Sequence, residues 1–151
     1  AAGTAGEGLE VLPGVEALLQ CLAQRPGVAV CLVTGNLEPI AWAKMERLGL
    51  AGYFTPPGFG GFGSDHTERT ELVRVAARRC EKLLGATPAA RFHVGDTPRD
   101  ITAAEAAGAR AVGVTTGTYG EAELTGCSDG TAVVLPGLED LDRALAALGL
   151  Q

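Results

Sequence analysis

Two short stretches of this chain hold residues whose types and spacing suit chemistry. The first is Gly95-Asp96-Thr97-Pro98-Arg99-Asp100. Carboxylates at i and i+4 lie on one side of a helical turn and converge on a point, and Gly95 lets the backbone come close. Two hard oxygen ligands in such a place suit Mg²⁺, which keeps several waters and takes further oxygens from a phosphate. The same residues also fit an ordinary helix start, one aspartate capping and the other solvated. The second stretch is Thr34-Gly35-Asn36. A hydroxyl followed by successive backbone N–H groups, at the point where a strand turns into a helix, forms a cradle for phosphate oxygens. Read alone, it is equally a turn and cap.

The surrounding pattern says what must position these residues. Val28 to Val33 is an unbroken apolar run that suits a strand buried on both faces, and Arg91–Val94, Ala111–Val114 and Ala132–Leu135 are further short strands. Between them run helical stripes. Val15, Leu18, Leu19 and Leu22 form one, and Leu37 to Leu48 reads as another. Leu72, Val73, Ala76, Cys80, Leu83 and Leu84 line a long helix capped by Ser64 or Asp65. Pro98 opens a helix that Gly108 closes, and Leu138, Leu141, Leu145 and Leu148 form the last stripe. Tyr53-Phe54 reads as the start of a short strand, and Pro56 to Gly63 as a flexible loop on the substrate side. Strands alternating with helices predict an α/β domain with a mainly parallel sheet, in which ligands bind beyond the carboxyl ends of the strands. Both stretches sit there, after Val33 and after Val94.

Composition narrows the function classes. The 151 residues suffice for one domain, 46% are hydrophobic and 20% charged, and the net charge is −6. An acidic chain has no general field for nucleic acid, so an anionic substrate must be held by local groups or a metal. No apolar run reaches the roughly 20 residues that span a bilayer, so no membrane partner is expected. The four cysteines, Cys21, Cys31, Cys80 and Cys127, show no CxxC pairing and read as reduced thiols of an intracellular protein. Gly58 to Gly63 matches GxGxxG literally, but Pro56-Pro57 stands where a strand is needed and position 81 falls within a helix. The basic stretch Arg74, Arg78, Arg79 and Lys82 reads as a solvated helix face, interleaved with Glu71 and Glu81. His66 and His93 show no partner spacing.

Taken in order, Val33-Thr34-Gly35-Asn36, a basic residue, and Gly95-Asp96-Thr97-Pro98-Arg99-Asp100 resemble the second, third and fourth motifs of the haloacid dehalogenase superfamily. The resemblance runs from about Leu12 to the end of the chain, taking in Pro13-Gly14-Val15, Phe59 to Asp65 and Val134-Leu135-Pro136. It looks closest to the phosphoglycolate-phosphatase-like branch. The resemblance implies a three-layer, Rossmann-like core and a Mg²⁺-dependent phosphatase acting on a small phosphorylated metabolite through an aspartyl phosphate. It implies that Thr34, with the amides of Gly35 and Asn36, binds the phosphoryl oxygens, and that Asp96 and Asp100 position Mg²⁺. Arg69 best matches the third-motif cation, usually a lysine, ahead of Lys44 and Lys82. Dehalogenation on the same fold needs no metal, which the two aspartates disfavour.

The family's first motif is an apolar strand ending in Asp-x-Asp, whose first carboxylate attacks phosphorus. Upstream of Thr34 the acidic residues are Glu7, Glu10 and Glu16, none following a strand. The expectation is therefore a partial catalytic core over residues 1–151, without nucleophile or cap, beginning at Ala1 with Met45 its sole methionine. A truncated paralogue that binds phosphate ligands or a protein partner without catalysis is the alternative. The resemblance also places the absent strand centrally, so a gap is expected between the strand ending at Thr34 and the strand ending at Asp96.

Overall fold

A computed structural model describes residues 12–150; the small, polar stretch Ala1 to Gly8, read as a flexible entry, lies outside the described residues. The element order is α1 (Val15–Gln24), β1 (Leu32–Thr34), α2 (Glu38–Arg47), a 3₁₀ turn (Ala51–Tyr53), β2 (Gly60–Phe62), α3 (Arg69–Leu84), β3 (Phe92–Gly95), α4 (Pro98–Ala106), β4 (Arg110–Val114), α5 (Glu121–Gly126), β5 (Val133–Leu135) and α6 (Leu141–Ala147). All strand pairings are parallel, as the alternation of elements predicts. The helices form two outer layers. On one face Leu72, Val73 and Ala76 of α3 and Ile101, Ala103 and Ala104 of α4 pack with Leu124 against Val33 and Ala111. On the other, Leu18 and Leu22 of α1 pack with Ala144 of α6. No helix among the described residues is long and apolar enough to cross a membrane.

The strands form two sheets, β1–β2 and β3–β4–β5. β1 does not pair with β3. Between them lies a cavity of about 670 Å³, lined by Val28–Val33 on one side and Arg91–Asp96 on the other. The gap falls where it was expected. It also explains why the apolar run Val28–Val33, read as a strand buried on both faces, is a regular strand only from Leu32, while Val28 to Cys31 are half-buried. Their neighbour on one side is Thr55, whose N–H donates to the Val30 carbonyl at 3.0 Å and whose Oγ1 accepts the Val30 N–H at 2.8 Å. Their other side faces the cavity, with no backbone partner among the described residues.

Three local expectations are corrected. Tyr53-Phe54 does not start a strand; Tyr53 closes the 3₁₀ turn and Phe54 packs edge-on against Trp42 at 5.4 Å. The glycine-rich loop is not a loose substrate-side segment, because Gly60–Phe62 is the buried strand β2. Its glycines answer to crowding rather than to flexibility. A Cβ on Gly60 would lie 1.8 Å from the Leu32 carbonyl oxygen, and one on Gly61 2.0 Å from that of Leu72. The strand is thus wedged between β1 and α3. Finally, α3 starts at Arg69 rather than beside Asp65, which has other partners.

Asp65 accepts the Phe62 N–H at 3.0 Å and receives both guanidinium nitrogens of Arg79 at 2.7 and 2.8 Å. The same Arg79 also donates to the Gly60 carbonyl at 2.8 Å. Within the basic stretch, then, Arg79 is not simply solvated: it staples the end of β2 to α3, while Arg74 pairs with Glu71. The Arg79 hydrogen bonds hold the Asp65 carboxyl below its usual value of 3.8, outweighing partial burial, with the Phe62 amide adding to them. A depressed folded pKa means that the staple's stability is complete above the ordinary carboxylate value and is lost as pH falls through the lower folded one. The difference in melting temperature between the native chain and Asp65→Asn is therefore expected to be constant near neutrality and to shrink below about pH 4. A difference unchanged down to pH 2 would contradict the assignment.

All four cysteines are free, and burial, with Cys80 nearby, pushes the Cys31 thiol up to about 12, so it stays protonated.

Candidate functional site

The carboxyl ends of the two sheets lie on the same side of the molecule. Arg69 opens α3 just after β2, and its Nη1 lies 3.8 Å from Oδ1 of Asp100, in the first turn after β3. The turns that follow β1, β3 and β4 therefore share one edge.

At the end of β1, Thr34 is buried and its Oγ1 accepts the Asn36 N–H at 3.2 Å, leaving its own hydrogen available to donate. The segment after β2 braces this turn. The Gly63 N–H donates to the Asn36 carbonyl at 2.8 Å, and Ser64 Oγ accepts the Glu38 N–H at 3.0 Å. Gly35 is exposed, and its N–H has no hydrogen-bond partner among the described residues. The Thr34 hydroxyl and the Gly35 amide are thus the free donors of this turn.

At the end of β3, Thr97 and Asp100 form a capping box on α4, with Pro98 in its first turn. Asp100 Oδ2 accepts the Asp96 N–H at 3.2 Å, the Thr97 N–H at 3.3 Å and the Thr97 hydroxyl at 3.0 Å. Its Oδ1 faces His93 Nε2 at 3.4 Å as well as Arg69. Gly95 is required here, because a Cβ on it would lie 2.4 Å from the Asp100 carboxyl. Burial alone would raise the Asp100 pKa, but the His93 hydrogen bond and the Arg69 charge hold it below the ordinary value, so the carboxylate is ionised. Burial pushes His93 the other way, below 6.5, and the Asp100 bond only partly offsets this. A neutral imidazole beside an acceptor-only carboxylate must donate from Nε2.

The two predicted metal aspartates therefore differ. Asp100 is 2% exposed and engaged by protein donors on both oxygens, so it fixes the shape of the turn. Asp96 is half-buried and its carboxylate has no hydrogen bond or ion pair among the described residues. The turn after β4 closes over it, since a Cβ on Gly117 would meet Asp96 Oδ2 at 2.5 Å. Gly117 was not singled out in the sequence, although the rule applied to β1 and β3 reaches Thr115-Thr116-Gly117 as the residues after β4.

Arg69 reaches the site, as Lys44 and Lys82 do not. Its Nη1 is buried and has no hydrogen-bond partner among the described residues. Its ion-pair partner, Asp100 Oδ1, lies at 3.8 Å, beyond hydrogen-bond distance, so the nitrogen can still take an acceptor. No hydrogen bond or ion pair joins the Thr34 turn to the Asp96 turn; the cavity separates them. The literal Asp-x-Asp at Asp140-Leu141-Asp142 does not follow a strand directly. Asp140 caps α6 by accepting the Arg143 N–H, and both aspartates are exposed. Among the described residues no three His, Cys, Asp or Glu side chains come together as a metal cluster. The residues present fit Mg²⁺ to the extent of one unengaged carboxylate, Asp96, with the remaining oxygens to come from water and a phosphate.

Comparison with known proteins agrees with this geometry. The haloacid dehalogenase-like hydrolase family profile matches residues 3–108. The phosphoglycolate phosphatase of Escherichia coli K12 is 34% identical over 147 residues, covering 97% of this chain and 54% of that protein. That of Neisseria meningitidis is 34% identical over 119 residues, covering 79% and 48% respectively. The chain thus spans about half the length of the curated relatives it matches. Among solved structures, a putative beta-phosphoglucomutase from Thermotoga maritima superposes with a TM-score of 0.72 at 22% identity, over 91% of this chain and 60% of that one. A haloacid dehalogenase-like protein of Streptococcus pneumoniae gives 0.69 at 18% identity, over 89% and 60%. With the family profile matched over residues 3–108 and these relatives aligned over most of its length, this chain belongs to the haloacid dehalogenase-like hydrolases, on their phosphoglycolate-phosphatase-like branch.

Proposed function

We propose that this chain forms the phosphoryl-holding part of a Mg²⁺-dependent phosphatase core acting on a small phosphorylated metabolite, and that without a nucleophilic aspartate it does not turn over. The observation that carries the reading is an unengaged carboxylate, Asp96, on the same turn as Asp100, toward which Arg69 Nη1 reaches at 3.8 Å while making no hydrogen bond among the described residues. A phosphoryl oxygen would supply the hydrogen-bond acceptor that Asp100, at 3.8 Å, does not. In this reading the Thr34 hydroxyl and the Gly35 amide donate to phosphoryl oxygens, with the Asn36 amide tied back to Thr34. Arg69 neutralises phosphoryl charge from the other side. Arginine is not interchangeable with lysine here, since its planar fork favours two oxygens at once. Asp96 would hold Mg²⁺, which when bound offsets charge on the transferring group. Asp100 and His93 position the Asp96 turn.

An apolar strand ending in Asp-x-Asp, fused ahead of Leu12, is expected to confer hydrolysis of p-nitrophenyl phosphate in the presence of Mg²⁺. Asp96→Asn in that extended chain should lower the rate by about 100-fold or more, the scale of a lost electrostatic contact to the transition state. An extended chain that folds with its sheets joined yet shows no hydrolysis would favour the non-catalytic phosphate-binding alternative.

A further inference from the structure

The turn after β4 stands against the carboxylate that the site leaves unengaged, and the crowding between them can be relieved in one direction. Gly60, Gly61 and Gly63 are crowded by main-chain atoms of Leu32, Leu72 and Gly35, which cannot step aside. Gly117 differs. The three atoms nearest a Cβ placed on it all belong to one side chain: Asp96 Oδ2 at 2.5 Å, Cγ at 3.2 Å and Cβ at 3.4 Å. Its φ lies outside the left-handed region, so its backbone would accept an L side chain. Space rather than backbone conformation requires glycine here.

Which partner would yield follows from what holds each. The turn is tied at both ends. The Thr115 N–H donates to the Leu135 carbonyl at 3.0 Å, continuing the β4–β5 ladder. At the other end the Gly120 N–H donates to Glu123 Oε1 at 3.0 Å, and the Gly120 carbonyl accepts the Leu124 N–H at 3.1 Å, which starts α5. Thr116 to Tyr119 bridge these anchors, so Gly117 withdraws only by straining one of them. The Asp96 main chain is fixed as well: its N–H donates to Asp100 Oδ2 at 3.2 Å, and Gly95 before it is paired with Gly113. The Asp96 carboxylate has no such tie among the described residues, and two side-chain torsions carry it. A side chain at position 117 would therefore leave both main chains in place and turn this carboxylate into another rotamer.

Orientation decides what such a carboxylate can hold. Mg²⁺ demands near-ideal octahedral geometry with short bonds to oxygen. Groups that orient a ligand without touching the metal change affinity by about 10- to 100-fold when altered. We infer that Gly117 is a positioning residue for the metal: by offering no side chain, the turn after β4 keeps the Asp96 carboxylate in the rotamer from which it takes Mg²⁺. The inference rests on the reading of Asp96 as a Mg²⁺ ligand, and it adds the turn after β4 to the parts of the chain that govern metal binding.

The test compares the full native chain with Gly117→Ala and with a control, Gly137→Ala, whose Cβ would meet Thr116 Cγ2 of the same turn at an ordinary 3.4 Å. All three should melt within about 3 °C of one another. Without metal, the three-bond couplings about the Asp96 Cα–Cβ bond should change in Gly117→Ala and stay as they are in Gly137→Ala. Mg²⁺ alone, read at the amides of Gly95 to Asp100, should bind Gly117→Ala about tenfold more weakly or worse, and Gly137→Ala as the native chain. Inorganic phosphate alone, read at Thr34 to Asn36, should act on all three chains alike, which a general loss of structure would not allow. In an Asp96→Asn background, Gly117→Ala should cause no further loss of Mg²⁺ affinity, the mark of an effect that passes through Asp96. Unchanged Asp96 couplings, or native Mg²⁺ affinity in Gly117→Ala, would overturn the role given to Gly117 and leave Asp96 as the ligand. A much lower melting temperature for Gly117→Ala would overturn it too, since the turn rather than the carboxylate would then have yielded. A native chain in which Mg²⁺ moves none of these amides would overturn the metal reading itself, and the inference with it.

Discussion

Mixed with an aryl phosphate and millimolar Mg²⁺, the chain as it stands is expected to release phosphate no faster than background. Enzymes of ordinary competence accelerate such reactions by at least about 10⁶-fold, so the expected loss is the whole of the activity. The reason lies in which groups the sheet edge presents. Thr34 and Gly35 donate hydrogen bonds, Arg69 carries charge, and Asp96 offers one carboxylate held beside Gly117. Each can stabilise charge on a phosphoryl group, and none is placed as a nucleophile with a second carboxylate to move its proton. Among the described residues, the other carboxylate of this turn, Asp100, is spent on five contacts with Asp96, Thr97, His93 and Arg69. Turnover that disappears in Asp96→Asn would show that a nucleophile exists elsewhere in the chain and would overturn this account.

The largest stability effect is expected at Gly60. Its Cβ position is occupied by backbone, 1.8 Å from the Leu32 oxygen and 2.8 Å from the Leu32 carbon, so no side-chain rotation relieves a substitution there. β1 would have to separate from β2, breaking the ladder that runs from Leu32↔Gly60 to Thr34↔Phe62 and uncovering Phe62, which is fully buried. Gly60→Val is expected to cost at least about 3 kcal/mol, the upper end of overpacking effects. Against a net stability of about 5–15 kcal/mol for an ordinary domain, and with one sheet edge of β1 already unpaired, loss of a cooperative melt is the expected reading. Gly126→Ala is the control: nothing lies within 4 Å of its Cβ position and it sits in α5, so it should move stability by no more than about 1 kcal/mol. Equal melting of the two variants would mean that β2 is not wedged as described.

Much of this was legible in the sequence, for identifiable reasons. The strand ends at Thr34 and Asp96 could be read because short apolar runs stop there at Thr-Gly and Gly-Asp, and Pro98 marks the helix that follows. The gap was legible because a run as apolar as Val28–Val33 needs neighbours on both sides, and the resemblance indicated which one was missing. β2 was not legible: its glycines look like a loop, and only the approach of Leu32 and Leu72 from opposite sides shows them to be a strand. The unequal roles of Asp96 and Asp100 were not legible either. The spacing is the same whether the second carboxylate faces outward or folds back over Gly95, and the donors that hold it, Thr97, His93 and Arg69, are chosen by packing. Asp65 looked like a helix cap because nothing in the local pattern reveals an arginine nearly three turns into α3, at Arg79, reaching back to it.

In the proposed function, the Thr34 turn and the Asp96 turn serve one phosphoryl group and one Mg²⁺. It is tested most directly by titrating the chain with inorganic phosphate and Mg²⁺, separately and together, while following backbone amide resonances. Mg²⁺ alone should shift Gly95 to Asp100 weakly, with midpoints in roughly the millimolar range, because water must supply most of its ligands. With both present, Thr34, Gly35 and Asn36 should move together with Gly95 and Asp96, and each ligand should tighten the other's binding. Amides at both turns that stay still at high millimolar concentrations of both ions would contradict the claim.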